Sequence, residues 1–239
     1  MRRDRRSFLG LLATSPVWAS ACVREAGGVS PEIDTLTVRY GNQDVRCLFH
    51  QVNAGRGQAP LAILLLHGAH ADATQWTDIG LIDTLDQLGR LHADRSLVAI
   101  APDLASPPRA ESMITDAILP TIVQRFQPEL TAISGISMGG AMALDLATAM
   151  PTVFNSLGLH SPAVRLDAPT DRFEWPCWID VGEGDPLSDA VTQTAQLLRD
   201  SGIAVSEHHW PGGHDRRYWR SHLHDYLSFH LSAGRPTAS

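Results

Sequence analysis

Apolar and polar positions along this chain fall into two alternating kinds of segment. Short, nearly continuous apolar runs occur at 61–66, 97–101, 130–136, 156–159 and 177–181. Runs of this length, rich in Leu, Ile and Val, predict strands buried on both faces. Between them lie longer helical patterns at 79–91, 113–126, 138–150, 187–200 and 214–231. The beginning differs. Residues 33–40 and 45–49 alternate apolar and polar side chains around Gly41-Asn42, which predicts an antiparallel hairpin. Residues 53–60 read as a Gly-rich loop and 204–210 as a last strand. Strands alternating with helices predict an α/β domain over 32–231. Its central sheet is mostly parallel, of about eight strands, with helices on both faces and a hairpin entering at one edge. No internal repeat interrupts the pattern.

The ends of the chain change this picture little but add a destination. Arg2, Arg3, Arg5 and Arg6 precede the apolar stretch Phe8-Leu9-Gly10-Leu11-Leu12-Ala13, which is too short and interrupted for an ordinary spanning helix. A charged start, a short apolar middle and small residues at the end are the layout of a signal peptide over 1–21. Arg5-Arg6-Ser7-Phe8-Leu9 resembles a twin-arginine export signal. Ala19-Ser20-Ala21-Cys22 reads either as a signal-peptidase site or as a bacterial lipobox, with Ala19 where a lipobox has an aliphatic residue. Both readings cut before Cys22, and the second would attach the chain to a membrane through a lipid. Residues 22–31 are then expected to form a flexible tether and 232–239 a disordered tail. The expected location is the periplasm or the cell surface.

Composition sets further bounds. The 239 residues are 44% hydrophobic, enough for one domain with a full core. A formal net charge of −7 argues against nucleic acid as a partner. Of the three cysteines, Cys47 and Cys177 remain for pairing if Cys22 is lipidated or lost; two buried free thiols are expected, with pairing left open. There is no Cys-x-x-Cys and no His-Glu-x-x-His, so neither a metal nor a redox site is expected.

In a sheet of this kind, ligands bind at the carboxyl ends of the strands. After the run 130–136 comes Gly135-Ile136-Ser137-Met138-Gly139, with a helix former-rich stretch beyond it. A serine on a strand-to-helix turn has its Oγ pushed out above the sheet, and the helix start favours an anion beside it. After 61–66 comes His67-Gly68-Ala69-His70. Acyl transfer needs two donors for its oxyanion: the N–H after the nucleophile, here Met138, and one from this loop, for which Ala69 is the candidate. After 177–181 comes Gly182-Glu183-Gly184-Asp185-Pro186, where Asp185 is both a helix N-cap candidate and the candidate acid. Asp180 and Glu183 compete for that role. After the last strand comes Pro211-Gly212-Gly213-His214-Asp215, with His214 as the candidate base. The order Ser137, Asp185, His214 is the one an α/β-hydrolase has. His222 and His224 are expected on the surface of the last helix, and His208 and His209 on opposite faces of a strand. His67, His70 and His160 sit at strand ends without assigned chemistry.

These segments resemble the putative esterase family, which includes S-formylglutathione hydrolase, esterase D-like enzymes, feruloyl esterases and mycolyltransferases. The resemblance rests on the elbow Ser134-Gly135-Ile136-Ser137-Met138-Gly139-Gly140, on Asp180-Val181-Gly182-Glu183-Gly184-Asp185-Pro186-Leu187, and on Gly212-Gly213-His214-Asp215 to Tyr218-Trp219. It spans roughly 33–231. His67-Gly68 departs from the Ser-Gly of the formylglutathione hydrolases. The resemblance implies the α/β-hydrolase fold and carboxylic-ester hydrolysis without a cofactor. The expected function is a serine hydrolase acting on a small-molecule or polymer-linked ester. An acyltransferase with a sugar or lipid acceptor, and a non-catalytic binding lipoprotein on the same scaffold, are the alternatives. The short stretch 160–175 predicts little or no cap domain and an open cleft. Trp175, Trp210 and Trp219 are candidate walls, although core packing is the commoner fate of Trp.

Overall fold

The computed structural model describes residues 33–54, 59–104, 109–164 and 175–233. The expected signal peptide and tether, Cys22 and residues 234–239 lie outside the described residues. The strands are β1 (Asp34–Tyr40), β2 (Gln43–Val52), β3 (Leu61–Leu66), β4 (Leu97–Pro102), β5 (Leu130–Ile136), β6 (Leu157–His160), β7 (Cys177–Gly182) and β8 (Val205–Trp210). They form one sheet in the order β1-β2-β4-β3-β5-β6-β7-β8. The hairpin β1–β2 joins β4 antiparallel, and every pairing from β4 through β8 is parallel. This is the α/β-hydrolase fold.

The helices are α1 (Thr74–Asp78), α2 (Leu81–Leu91), α3 (Arg109–Met113), α4 (Leu119–Phe126), α5 (Met138–Ala149), α6 (Ser188–Asp200) and α7 (Arg216–Ala233). One face of the sheet packs against α3, α4, α5 and α6 through residues such as Met113, Ile122, Met142 and Val191. The other packs against α1, α2 and α7 through Trp76, Leu85, Tyr226 and Leu227. All six residues of β3 and of β4 are buried, as strands covered on both faces should be.

Two helices differ from the pattern. The helix expected at 79–91 begins at Leu81 as α2, and an additional short helix, α1, precedes it, the two separated at Ile79–Gly80. The stretch at 113–126 starts earlier, at Arg109, and contains a π-helical turn at Ile114–Ile118, where the Leu119 N–H reaches back to the Ile114 carbonyl. The wider turn falls just before Pro120, which has no N–H to donate to an α-helical ladder. At the end, α7 runs through Ser232 and Ala233, two residues into the expected tail.

Cys47 and Cys177 are both buried and free. They stand on β2 and β7, with β4, β3, β5 and β6 between them. At about 4.8 Å per strand that is roughly 24 Å, far beyond disulfide reach. Burial pushes the Cys47 thiol up to about 12 and raises that of Cys177 as well.

Candidate active site

Ser137 alone joins β5 to α5, at φ 54 and ψ −114. A non-glycine residue held there costs roughly 1–3 kcal/mol, so the surroundings must over-determine it. They do so through both backbone groups. The Ser137 N–H donates to the His160 carbonyl at 2.9 Å, and the Ser137 carbonyl accepts from Gly140, Ala141 and Ala163 at 3.0, 3.2 and 3.0 Å. Side chains are excluded on either side of the turn. A Cβ at position 135 would run into the Gly139 carbonyl, and one at 139 into the Leu66 carbonyl. Glycine at both places is what lets the strand double back into the helix.

The structure brings Ser137, His214 and Asp185 into one hydrogen-bonded chain. His214 Nε2 lies 2.9 Å from Ser137 Oγ, and His214 Nδ1 lies 2.8 Å from Asp185 Oδ2. The Asp185 side chain is wholly buried, whereas that of His214 keeps 29% of its exposure. The second Asp185 oxygen, Oδ1, accepts the Leu187 N–H at 2.9 Å. The acid and capping readings of Asp185 therefore coexist, the cap acting on the turn before α6 rather than on its first residue. The loop carrying the histidine is built against the loop carrying the acid: the Gly184 N–H donates to the Gly212 carbonyl at 2.8 Å. Asp215 then caps α7, its Oδ1 accepting from the N–H groups of Arg217 and Tyr218.

Of the two candidate oxyanion donors, Met138 follows Ser137 directly and Ala69 follows a glycine that lies beside it. Met138 is the first residue of α5, so its N–H has no acceptor within the helix. The loop after β3 runs alongside the nucleophile, where a Cβ at Gly68 would lie 3.5 Å from Ser137 Cβ. The Gly68 N–H is occupied by Gln75 Oε1 at 2.7 Å, which leaves the next amide, that of exposed Ala69, as the candidate. Residues to which the sequence assigned no chemistry hold this loop. His67 is buried, with Nδ1 at 2.8 Å from the Gly68 carbonyl and Nε2 accepting the Leu104 N–H at 3.0 Å, so it is a neutral imidazole protonated on Nδ1. Asp103 accepts the Ala73 N–H at 2.8 Å and pairs with Arg46 at 2.7 Å. The signal available for Asp103 was its place just after an apolar strand.

The remaining candidates fall away from this chain. Glu183 is exposed in the turn before Asp185. Asp180 is fully buried and bonds His160, Trp178, Tyr218 and Tyr226. His224 is exposed as expected, but His222 is half-buried and stacks on Trp210 at 4.0 Å, because α7 lies across β8 there. His208 stacks on Trp178 at 3.9 Å while His209 pairs with Glu207, on opposite faces of β8. Trp175 packs into the core, and Trp219 is buried with its ring edge-on to His214 at 5.2 Å. Of the stretch 160–175, residues 165–174 lie outside the described residues. Among the described residues no cluster of three or more His, Cys, Asp or Glu is placed to hold a metal ion, and no helix is long and apolar enough to cross a membrane.

Comparison with known proteins points the same way as the motifs. The family described as Putative esterase matches residues 81–181, a stretch holding Ser137 and Met138 but ending before Asp185 and His214. No curated protein matches the chain. Among solved structures, a ferulic acid esterase is similar with a TM-score of 0.73 at 19% identity, covering 84% of this chain and 98% of its own. A ferulic acid esterase from Anaeromyces mucronatus is similar with a TM-score of 0.70 at 14% identity, covering 89% and 95%. An S-formylglutathione hydrolase from Staphylococcus aureus has a TM-score of 0.67 at 14% identity, covering 84% and 99%.

Proposed function

We propose that this carboxylic ester hydrolase works through an acyl-enzyme on Ser137 and does so outside the cytoplasm. The observation that carries the mechanism is the bonded chain Ser137–His214–Asp185 at a strained elbow, with the acid buried and the serine reachable. His214 Nδ1–H donates to Asp185, which fixes the tautomer and leaves Nε2 free to take the Ser137 proton. As Oγ bonds to the ester carbonyl carbon, the carbonyl oxygen gains charge between the N–H groups of Met138 and Ala69. Removing one such donor costs about 3 kcal/mol of transition-state stabilisation. The C–O bond to the alcohol then breaks, and His214 returns the proton to the leaving oxygen. Water attacks the acyl-enzyme and gives its proton to His214; the bond between Oγ and the acyl carbon then breaks, the acid leaves, and His214 returns the proton to Ser137 Oγ. The twin arginines and the Ala-Ser-Ala-Cys run support export, and mass spectrometry of the mature N-terminus reads both the cleavage site and any lipid on Cys22.

The test is turnover of p-nitrophenyl acetate and butyrate, with an initial burst. Ser137→Ala should lower kcat by about 10⁶ while the protein stays folded. No turnover and no fluorophosphonate adduct in the folded wild type would refute the reading. Adding sugar or lipid alcohols to the assay distinguishes transfer from hydrolysis by the product formed.

A further inference from the structure

A second Ser-His-Asp chain lies beneath the first. Ser134 Oγ is 2.7 Å from His160 Nε2, and His160 Nδ1 is 2.7 Å from Asp180 Oδ1. The three residues come from three adjacent strands, β5, β6 and β7, with His160 and Asp180 directly paired in register. Opposite Ser134 stands Gly158, and any Cβ there would collide with Ser134 Oγ, so the serine reaches His160 only because that place is empty. Ser134, His160 and Asp180 are 1%, 0% and 0% exposed.

Asp180 is the hub. Its Oδ1 accepts from His160 Nδ1 and from Trp178 Nε1 at 2.8 Å, and its Oδ2 from the hydroxyls of Tyr218 at 2.9 Å and Tyr226 at 2.8 Å. Four donors fill the lone-pair sites of an ionised carboxylate, which offsets its loss of hydration without a buried cation. His160 is then the Nδ1–H donor and takes the Ser134 hydroxyl proton at Nε2 in a hydrogen bond. Nothing here can react: Ser134 sits in regular strand and no solvent reaches it.

The two arms of the hub end at the surface site. On one side, the His160 carbonyl holds the Ser137 N–H. On the other, the Tyr218 ring lies against Gly212, two residues before His214, and the Gly212 carbonyl in turn holds the Gly184 N–H beside Asp185. We propose that Asp180 is a positioning residue, gripping His160 and Tyr218 so that Ser137 Oγ and His214 Nε2 stay at bonding distance. The inference rests on the reading of Ser137, His214 and Asp185 as the acyl-transfer site. It gives the buried chain a task in the reaction although it touches neither substrate nor reacting atoms. Displacement of a reacting group by about 1 Å can cost about 100-fold in rate, so a slack anchor is felt in the chemical step.

The test is Tyr218→Phe, which removes one hydroxyl and keeps the ring against Gly212, alongside Asp180→Asn. In folded Tyr218→Phe protein, kcat on p-nitrophenyl acetate should fall about 10- to 100-fold at unchanged KM, and the rate of fluorophosphonate labelling should fall in parallel. Asp180→Asn should lose at least as much wherever it folds; if it does not fold, Tyr218→Phe decides. A purely structural role would lower Tm and leave kcat of the folded protein alone. A kcat within about 2-fold of wild type in Tyr218→Phe, or a loss carried by KM, overturns the proposal. Because wild-type turnover and its loss in Ser137→Ala are measured beside it, that outcome leaves the acyl-enzyme reading standing.

Discussion

Two Ser-His-Asp chains run through this molecule with nearly the same hydrogen-bond lengths, and only one has its serine at a strained elbow that solvent can reach. Ser137–His214–Asp185 is bonded at 2.9 and 2.8 Å, and Ser134–His160–Asp180 at 2.7 and 2.7 Å. The donor–acceptor sequence is therefore not what makes a nucleophile. What differs is the backbone and the surroundings. Ser137 is held at φ 54 beside the first N–H of a helix, the place where the proposed oxyanion would find a donor. Ser134 lies in a central strand between β3 and β6, in the dry interior. The acids differ as well. Asp185 gives one oxygen to its histidine and one to a backbone N–H, which leaves it dedicated to His214. Asp180 divides its charge among four donors and ties three strands and α7 together.

The contrast can be broken at several points. The largest expected effect, after the nucleophile itself, is at the surface acid. Asp185→Asn should lower kcat by about 10⁴, because the amide favours the wrong histidine tautomer, while Glu183→Gln stays within a few-fold. Steady-state kinetics on p-nitrophenyl butyrate compare them directly, and a larger loss in Glu183→Gln would reassign the acid.

Next comes the pH response of the buried layer. His230 lies in it, its Nδ1 at 2.8 Å from Ser156 Oγ, and burial lowers its pKa to about 3. The folded state thus holds His230 neutral where the unfolded chain would protonate it near 6.5. Stability from this group is fully present above about 6.5 and is lost progressively as pH falls toward 3, on the order of a few kcal/mol. Urea midpoints at pH 7 and 4.5 should show that fall, and a shallower one in His230→Gln; equal slopes would remove His230 from the explanation.

The smallest effect is at the buried serine. Ser134→Ala leaves His160 Nε2 without its donor, which should cost about 1–3 kcal/mol of stability and no loss of labelling at Ser137. Chemical denaturation followed by probe labelling checks both halves. Abolished labelling in folded Ser134→Ala, together with labelling that survives in Ser137→Ala, would mean that the buried serine is the one that reacts.

The surface chain was legible in the sequence because each member sits in a local motif just after a strand, and parallel strands bring their ends to one edge whatever the loops do. The buried chain was not, because its members share no motif and meet only through register. His160 read as a strand-end residue and Asp180 as a rival acid inside a strand. Yet a signal was present: Ser134, His160 and Asp180 are polar residues inside apolar strands expected to be covered on both faces, and such groups need partners. The partners Tyr218 and Tyr226, from α7, could not be named without knowing which face that helix covers. His222 was misplaced for the same reason. The Cys47–Cys177 question also turned on strand order, which no local pattern carries.

The most direct measurement is peptide mapping by mass spectrometry after the wild-type protein reacts with a fluorophosphonate probe. The adduct should lie on Ser137 alone, with the peptide's Ser134 unmodified and no adduct in Ser137→Ala. An adduct on Ser134, or labelling that survives Ser137→Ala, would contradict the division between a reacting surface chain and a buried chain that only holds it in place.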